Sequence, residues 1–123
     1  MSKRVLIADD AAFMREMLRE ILAEGDYEVV AEASDGLEAV ARFREHSPDL
    51  VTLDIVMPRK NGIDALREIL AHDAGACVVM CSALGQEALV MEALENGARD
   101  FVVKPFKPDQ VRSVVERALH KGT

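Results

Sequence analysis

Hydrophobic and polar residues follow two repeating patterns along this chain. Five short segments are almost continuously apolar, which is typical of strands buried on both faces of a parallel sheet. These segments are Arg4–Ala8, Val29–Ala33, Asp49–Leu53, Cys77–Cys81 and Asp100–Val103. After each of them, apolar residues recur every three or four positions, which predicts an amphipathic helix. The sequence therefore predicts five strand–helix units in alternation.

Residues that favour helix ends mark several of the predicted helices. Ser34-Asp35-Gly36 is typical of the start of the second helix, and Asn96-Gly97 of the end of the fourth. Pro108 stands where the first turn of the fifth helix is expected. In the first helix, Arg15 is predicted to face water. The predicted core stripe of that helix comprises Phe13, Met17, Ile21 and Leu22.

Strict alternation of strands and helices predicts an α/β fold built on a parallel sheet. We expect a doubly wound, flavodoxin-like sandwich of three layers, with five strands in the order 2-1-3-4-5. This order makes the first and third strands neighbours, so that the aspartates at their ends can meet. Ligands of such sheets bind beyond the carboxyl ends of the strands, where the strand order reverses. Chemistry is therefore expected at that edge.

Composition narrows the class of protein. The chain has 123 residues, half of them hydrophobic, which suits a single domain over 1–123 with its own core. Its formal net charge of −7 disfavours binding to nucleic-acid phosphates. No apolar run is long enough to span a bilayer and no secretion signal is visible, so a cytoplasmic location is expected. Cys77 and Cys81 are predicted to be reduced core residues.

Polar side chains close four of the five predicted strands. The first strand is followed by Asp9-Asp10, the third by Asp54, the fourth by Ser82 and the fifth by Lys104. Three neighbouring carboxylates repel one another unless a cation offsets their charge. Oxygen ligands without histidine or thiolate favour Mg²⁺, or Mn²⁺, over Zn²⁺. Together with a hydroxyl and an ammonium group, such a set indicates phosphoryl transfer to or from a carboxylate.

Four motifs, VLIADD, DLVTLDIVMPRKNG, VVMCSA and DFVVKPF, occur in this order along the chain. With these motifs, the chain from about Arg4 to its last helix resembles the receiver domain of two-component response regulators. In particular, it is similar to the single-domain chemotaxis regulators of the CheY type. The resemblance implies a protein that is switched by phosphorylation. It also implies that the chain is not an enzyme acting on other molecules and catalyses only its own phosphorylation and dephosphorylation.

The resemblance assigns a role to each acidic residue at the predicted sheet edge. Asp54 would accept a phosphoryl group from a histidine kinase of the chemotaxis type. Asp10 would be a direct Mg²⁺ ligand, and Asp9 would hold the ion largely through water. The backbone carbonyl of Val56 would complete the protein ligands of the ion, together with Asp54.

The resemblance also assigns the residues that respond to the phosphoryl group. Ser82 and Lys104 would each bind a phosphoryl oxygen. Phe101 matches the aromatic switch position of the family and would turn inward when Ser82 moves, changing the surface presented to a flagellar motor switch protein. Val56 and Leu84 occupy two positions at which some family members carry side chains that orient the hydrolytic water. Because both are apolar here, we expect slow self-dephosphorylation, with a phosphatase or the kinase setting the lifetime.

Two related functions stay open. The chain could be a single-domain phosphorelay intermediate or the receiver of a transcription regulator, although it ends at Thr123 without a linker or a basic domain. A phosphatase of the haloacid dehalogenase type is disfavoured, because Val56 stands where its second aspartate is needed. A flavodoxin-like cofactor carrier is also disfavoured, because acidic residues follow the first strand and no phosphate-cradling glycine motif occurs.

Overall fold

The chain alternates between strand and helix from its first element to its last. The strands are β1 (Lys3–Ala8), β2 (Tyr27–Ala33), β3 (Leu50–Asp54), β4 (Val78–Ser82) and β5 (Asp100–Val103). The helices are α1 (Ala12–Ala23), α2 (Gly36–His46), α3 (Gly62–His72), α4 (Glu87–Glu95) and α5 (Pro108–His120). The computed structural model describes residues 2–120, so 1 and 121–123 of the predicted domain lie outside the described residues.

All five strands run parallel in one sheet of order β2-β1-β3-β4-β5. The predicted doubly wound α/β fold and its strand order are therefore confirmed. Because β1 pairs with β3, the chain that leaves each of these two strands emerges side by side at the same edge. The register also sets Asp54 opposite Cys81 and Ser82 opposite Val103. The carboxyl ends of four neighbouring strands thus form one continuous polar rim.

Side chains of the strands alternate between two cores, one on each face of the sheet. Leu6 and Val51 pack on the side of α2, α3 and α4, whereas Ile7 and Val79 pack on the side of α1 and α5. Each large apolar side chain contributes about 1.5–3 kcal/mol when it is fully buried. Both faces of the sheet are covered in this way, which explains why the strands read as continuous apolar runs. Cys77 and Cys81 are buried thiols of the second core, as predicted.

Helix α1 turns most of the predicted stripe to the core, since Ile21 and Leu22 are buried and Met17 packs against the same core, but Phe13 and Arg15 depart from the prediction. Phe13 is 65% exposed, whereas Leu18, Ile21 and Leu22 are buried. At roughly 100° per residue, Phe13 lies about 140° around the helix from Leu18, so the two cannot share the core face. The same geometry puts Arg15 within about 20° of Leu22. The prediction that Phe13 is a core residue and that Arg15 faces water was therefore wrong.

The signals predicted for the helix ends are confirmed. The Asp35 side chain accepts a hydrogen bond from the Glu38 backbone N–H at 2.8 Å and so caps α2. Gly97 has a φ of +107° just after α4, a conformation that side chains with a Cβ disfavour. Pro108 is the first residue of α5.

Candidate functional site

Three carboxylates meet at the carboxyl edge of the sheet. Asp9 and Asp10 follow β1, and Asp54 is the last residue of β3, the strand that pairs with β1. One oxygen from each of the three side chains lies within 4.8 Å of the other two. Asp9 and Asp54 are buried, whereas Asp10 is exposed. The sequence placed these residues at strand ends, and the strand order brings them together.

Asp9 is held by its surroundings at several atoms. Its backbone N–H donates to the carbonyl of Ala33 in β2 at 3.0 Å. Its side-chain Oδ1 accepts from the N–H of Ala11 at 2.9 Å. Its Oδ2 forms an ion pair with Lys104 Nζ at 2.9 Å. This buried carboxylate oxygen keeps a lone pair that can accept a further ligand.

Asp54 is buried between a carboxylate and an ammonium group. Lys104 Nζ donates to its Oδ2 at 3.3 Å. Burial and then the charge of Asp9 raise the pKa of Asp54, Lys104 lowers it, and the net result is a pKa of about 6. The pKa of Lys104 is raised, because its two carboxylate neighbours outweigh the effect of its burial. Asp54 is therefore largely ionised at neutral pH, and the ammonium stays charged beside it.

The loop after Asp54, residues 55–61, is fixed by close backbone approaches. A Cβ on Gly62 would lie 2.0 Å from the carbonyl oxygen of Asp54, so a glycine is required there. The Gly62 N–H donates to the carbonyl of Ile55 at 2.7 Å. A Cβ on Gly36, at the start of α2, would lie 2.0 Å from the carbonyl oxygen of Lys60. Neither glycine was predicted as a site residue, since these contacts form only when the loop folds back against the end of β3 and the start of α2.

Ser82 closes β4, which pairs with the strand of Asp54, and Phe101 lies in β5, which pairs with β4. The Ser82 hydroxyl is buried and lies 3.5 Å from the carbonyl oxygen of Val102, to which it donates. The backbone N–H of Lys104 donates to the Ser82 carbonyl at 2.7 Å, and the Lys104–Pro105 bond is cis. Phe101 is half-buried against the core. Ser82 and Phe101 both line a cavity of about 230 Å³ between α4 and β5.

Val56 and Leu84 present apolar side chains around the site. Val56 is 53% exposed and Leu84 is 81% exposed, and both lie in the loops that follow the sheet edge. Phe13, at the start of α1, adds a third exposed apolar group. The side chains of Val56 and Leu84 cannot orient a water molecule by hydrogen bonding. Slow self-dephosphorylation therefore stays a prediction, and the apolar character of these two residues supports it.

The residues at this edge fit a hard divalent cation. The three clustered ligands are carboxylates, which suit Mg²⁺, and no histidine or thiolate of the described residues belongs to the cluster. Cys81 is close, but burial raises the pKa of its thiol, which disfavours the thiolate that metals bind. Three carboxylates face one ammonium group, which leaves an excess of two negative charges. The buried Oδ2 of Asp9 pairs with that ammonium group and keeps a lone pair for a further ligand.

Among residues 2–120, none of the helices combines the length and the apolar character that crossing a membrane requires.

Comparisons with known proteins identify relatives over nearly the whole chain. The response regulator receiver domain family matches residues 5–116. Chemotaxis protein CheY of Bacillus subtilis (strain 168) is 52% identical over 120 residues, which cover 98% of this chain and 100% of that protein. Chemotaxis protein CheY of Thermotoga maritima is 56% identical over 111 residues, which cover 90% of this chain and 92% of that protein.

A solved structure supports the same assignment. A chain in the crystal structure of the CheX-CheY-BeF3-Mg+2 complex from Borrelia burgdorferi is 40% identical, with a TM-score of 0.92. The superposition covers 97% of this chain and 90% of that chain. The strand order, the carboxylate cluster at the switch point and these relatives agree. The chain belongs to the receiver-domain family of two-component response regulators.

Proposed function

We propose that this chain is a phosphorylation-activated response regulator of chemotaxis, in which Asp54 accepts a phosphoryl group from a histidine kinase. The observation that carries the proposal is the position of Asp54. It is a buried, largely ionised carboxylate next to a lysine ammonium and two further aspartates. The alternative functions, a phosphorelay intermediate or the receiver of a transcription regulator, would use the same chemistry at Asp54 and differ in the partner.

The proposed reaction is a displacement at phosphorus. An oxygen of Asp54 attacks the phosphorus atom, the bond from phosphorus to the kinase imidazole nitrogen breaks, and the imidazole leaves with that electron pair. Lys104 Nζ, 3.3 Å from Asp54 Oδ2, can pair with a phosphoryl oxygen without a large movement. The chain acts only on its own aspartyl group in this scheme, so we do not class it as a metabolic enzyme.

Receiver domains bind Mg²⁺ at an acidic pocket, and the aspartate cluster here suits that ion. The proposed ligands are Asp10 and Asp54 directly, Asp9 largely through water, and the backbone carbonyl of Val56. The ion would neutralise charge on the transferred phosphoryl group. Mn²⁺ has the same preference for oxygen ligands and could replace it.

The proposed switch couples Ser82 to Phe101. The Ser82 hydroxyl now donates to a carbonyl in β5, and a phosphoryl group on Asp54 would offer it a stronger, charged acceptor. Movement of Ser82 would change the wall of the cavity that it shares with Phe101. Phe101 could then turn inward and alter the surface formed by α4, β5 and α5. This is a local charge event that biases a two-state element.

The proposed partners are a chemotaxis histidine kinase, a flagellar motor switch protein and a phosphatase, and the proposed location is the cytoplasm. The relative from Borrelia burgdorferi crystallised as a CheX-CheY complex, which supports a further protein partner for this chain. The net charge of −7 argues against nucleic acid as a partner.

The test is covalent phosphorylation in solution. The full chain is incubated with acetyl phosphate, with Mg²⁺ or with EDTA, and its intact mass is measured. We expect one added phosphoryl group that requires Mg²⁺ and is absent from Asp54→Asn, a change that removes the nucleophilic charge at nearly constant volume. Phosphorylation of Asp54→Asn at the wild-type level would refute Asp54 as the acceptor. Binding of the phosphorylated chain to motor switch proteins would then distinguish chemotaxis from a phosphorelay.

A further inference from the structure

Arg15 contacts the backbone of the acidic loop that follows β1. It lies in α1, and its side chain is mostly buried, with 19% of it exposed. Its Nη1 donates to the carbonyl oxygen of Asp9 at 2.7 Å. That carbonyl belongs to the peptide group between Asp9 and Asp10. One guanidinium group therefore fixes the peptide plane that joins two of the clustered carboxylates.

The guanidinium of Arg15 is itself held by Glu32 in β2. Its Nε donates to Glu32 Oε1 at 2.9 Å. The other carboxylate oxygen of Glu32 pairs with Arg19, one helical turn further along α1. Burial acts to raise the pKa of Glu32, but hydrogen bonds and charges from the two arginines outweigh it and lower that pKa. Glu32 is therefore a stable anion, and it orients the guanidinium group of Arg15 toward the Asp9 carbonyl.

The other contacts of Asp9 act on this peptide group less directly. The hydrogen bond from its N–H to Ala33 fixes the end of β1, and the bond from the Ala11 N–H to its Oδ1 closes a turn over the Asp9–Asp10 peptide. The contact with Arg15 acts on the carbonyl of that peptide itself. Because Asp10 is exposed, the direction of its carboxylate depends on the plane of that peptide more than on side-chain packing.

We propose that Arg15 is a positioning residue for the divalent cation: it aligns the peptide group between Asp9 and Asp10 so that both carboxylates point to one ion. The inference rests on the metal site of the proposed function. Arg15 does not touch the ion or the phosphoryl group in this scheme. It acts through the Asp9 carbonyl, and Glu32 acts through Arg15.

The charge of Arg15 and its positioning role predict opposite changes in Mg²⁺ affinity when Arg15 is replaced. Its positive charge near the cluster repels a cation, so electrostatics alone predicts that Arg15→Met binds Mg²⁺ more tightly. Loss of alignment predicts weaker binding. Outer contacts that orient metal ligands are worth about tenfold or more in affinity, so we expect Mg²⁺ to bind Arg15→Met about tenfold more weakly than wild type.

Arg19→Met is the matched control. It removes the same charge from the same helix and the same carboxylate, but Arg19 is not hydrogen-bonded to the Asp9 carbonyl. Mg²⁺ is titrated into the full chain by calorimetry, and each variant is also melted in EDTA to measure its stability without the ion. We expect the affinity of Arg19→Met to stay within about twofold of wild type. Arg15→Lys, which keeps the charge but has one donor group in place of the fork, should lie between wild type and Arg15→Met.

The outcomes separate the two proposals. A wild-type chain that does not bind Mg²⁺ would overturn the metal site, and with it the basis of the inference. A wild-type chain that binds Mg²⁺, with unchanged or tighter binding by Arg15→Met, would overturn the positioning role alone. So would equal weakening in Arg15→Met and Arg19→Met. If Arg15→Met does not fold, unchanged affinity in Arg15→Lys overturns the role. Lower stability in EDTA with unchanged affinity would assign Arg15 a structural role only.

Discussion

Two loops adjoin the acidic residues at the sheet edge, and they are held in different ways. The loop between β1 and α1, residues 9–11, is short and is contacted from outside by the guanidinium of Arg15. The loop between β3 and α3, residues 55–61, is longer and approaches its neighbours through backbone atoms at Gly36 and Gly62. The contact made by the Arg15 side chain can be weakened in steps by substituting that residue. The close backbone contacts at Gly36 and Gly62 leave no space for a Cβ, so any substitution there forces the backbone to shift.

The two loops also bury different kinds of residue. Ile55 and Met57 of the second loop are apolar members of the core, whereas the buried residue of the first is the carboxylate Asp9, and Asp10 and Ala11 are exposed. The second loop is also tied to the start of α2, where buried Asp35 pairs with Arg59 at 3.3 Å. Changes in the second loop should therefore affect the stability of the whole domain. Changes in the contacts of the first loop should affect ion binding and leave most of the stability intact.

The largest effect is expected from Gly62→Ala. The added Cβ would lie 2.0 Å from the Asp54 carbonyl oxygen, so the strand end or the helix start must shift. We expect the free energy of unfolding to fall by about 3 kcal/mol, at the upper end of the cost of overpacking, as measured by urea denaturation. Gly75→Ala is the control, because its Cβ would meet only Asp73 Oδ1 at 3.5 Å. Equal stability of the two variants would remove the distinction between the loops.

A gain in stability is expected from Thr52→Val in the strand that carries Asp54. Thr52 is buried, and its Oγ1 has no hydrogen-bond partner within residues 2–120. Replacing the hydroxyl with a methyl group removes that unmet polar group at the same shape, so we expect a gain of about 1 kcal/mol. Thermal melting measures it, with Thr52→Ser as the control that keeps the hydroxyl. A loss of stability in Thr52→Val would mean that the hydroxyl is satisfied.

Val56→Asn tests whether the second loop controls the phosphoryl lifetime as well as stability. The exposed apolar side chain is replaced by an amide that can orient a water molecule toward Asp54. A hydrogen bond of about 1 kcal/mol made in the transition state corresponds to roughly fivefold faster loss of the phosphoryl group. The rate is followed by intact mass after removal of the phosphodonor. If Val56→Asn loses its phosphoryl group no faster than the wild type, the apolar side chain of Val56 is not what slows self-dephosphorylation.

The smallest effect concerns the pH dependence contributed by Glu32 beside the first loop. The folded state holds its pKa below the ordinary value, so its ion pairs stabilise the protein above the unfolded pKa. This contribution is lost as the pH falls through the folded pKa. Glu32→Gln should therefore be less stable than wild type by under about 1 kcal/mol near neutral pH. The difference in stability between Glu32→Gln and wild type should narrow in urea titrations toward pH 4. A difference that widens would mean that the folded state does not lower the pKa of Glu32.

Features that depend on local pattern could be predicted from the sequence. The strands were visible because helices cover both faces of the sheet, and the acidic edge followed from which residue closes each strand. The exposure of Phe13 could not be predicted, because Phe13 and Leu18 are both apolar and only packing against the sheet selects which of them is buried. Arg15 was missed for the same reason, since its partner Glu32 lies 17 residues away in β2.

The close approach of Gly36 to Lys60 could not be predicted from the sequence either. These residues belong to different strand–helix units, and their contact arises only once the sheet has ordered the loops. The glycines were visible as helix-start and turn signals. Their role in fixing the Asp54 loop required the three-dimensional arrangement.

The two cysteines offer a way to measure how often the middle of this fold opens. The chain has Cys77 and Cys81 and no other cysteine, and both thiols are buried at or in β4, between β3 and β5. Because both thiols are buried, a thiol reagent such as Ellman's reagent reacts with them only when the structure around β4 opens. Its rate of reaction with the native protein would therefore report how often the middle of the molecule opens. The proposed phosphorylation of Asp54, whose strand pairs with that of Cys81, could be followed as a change in that rate without any added label.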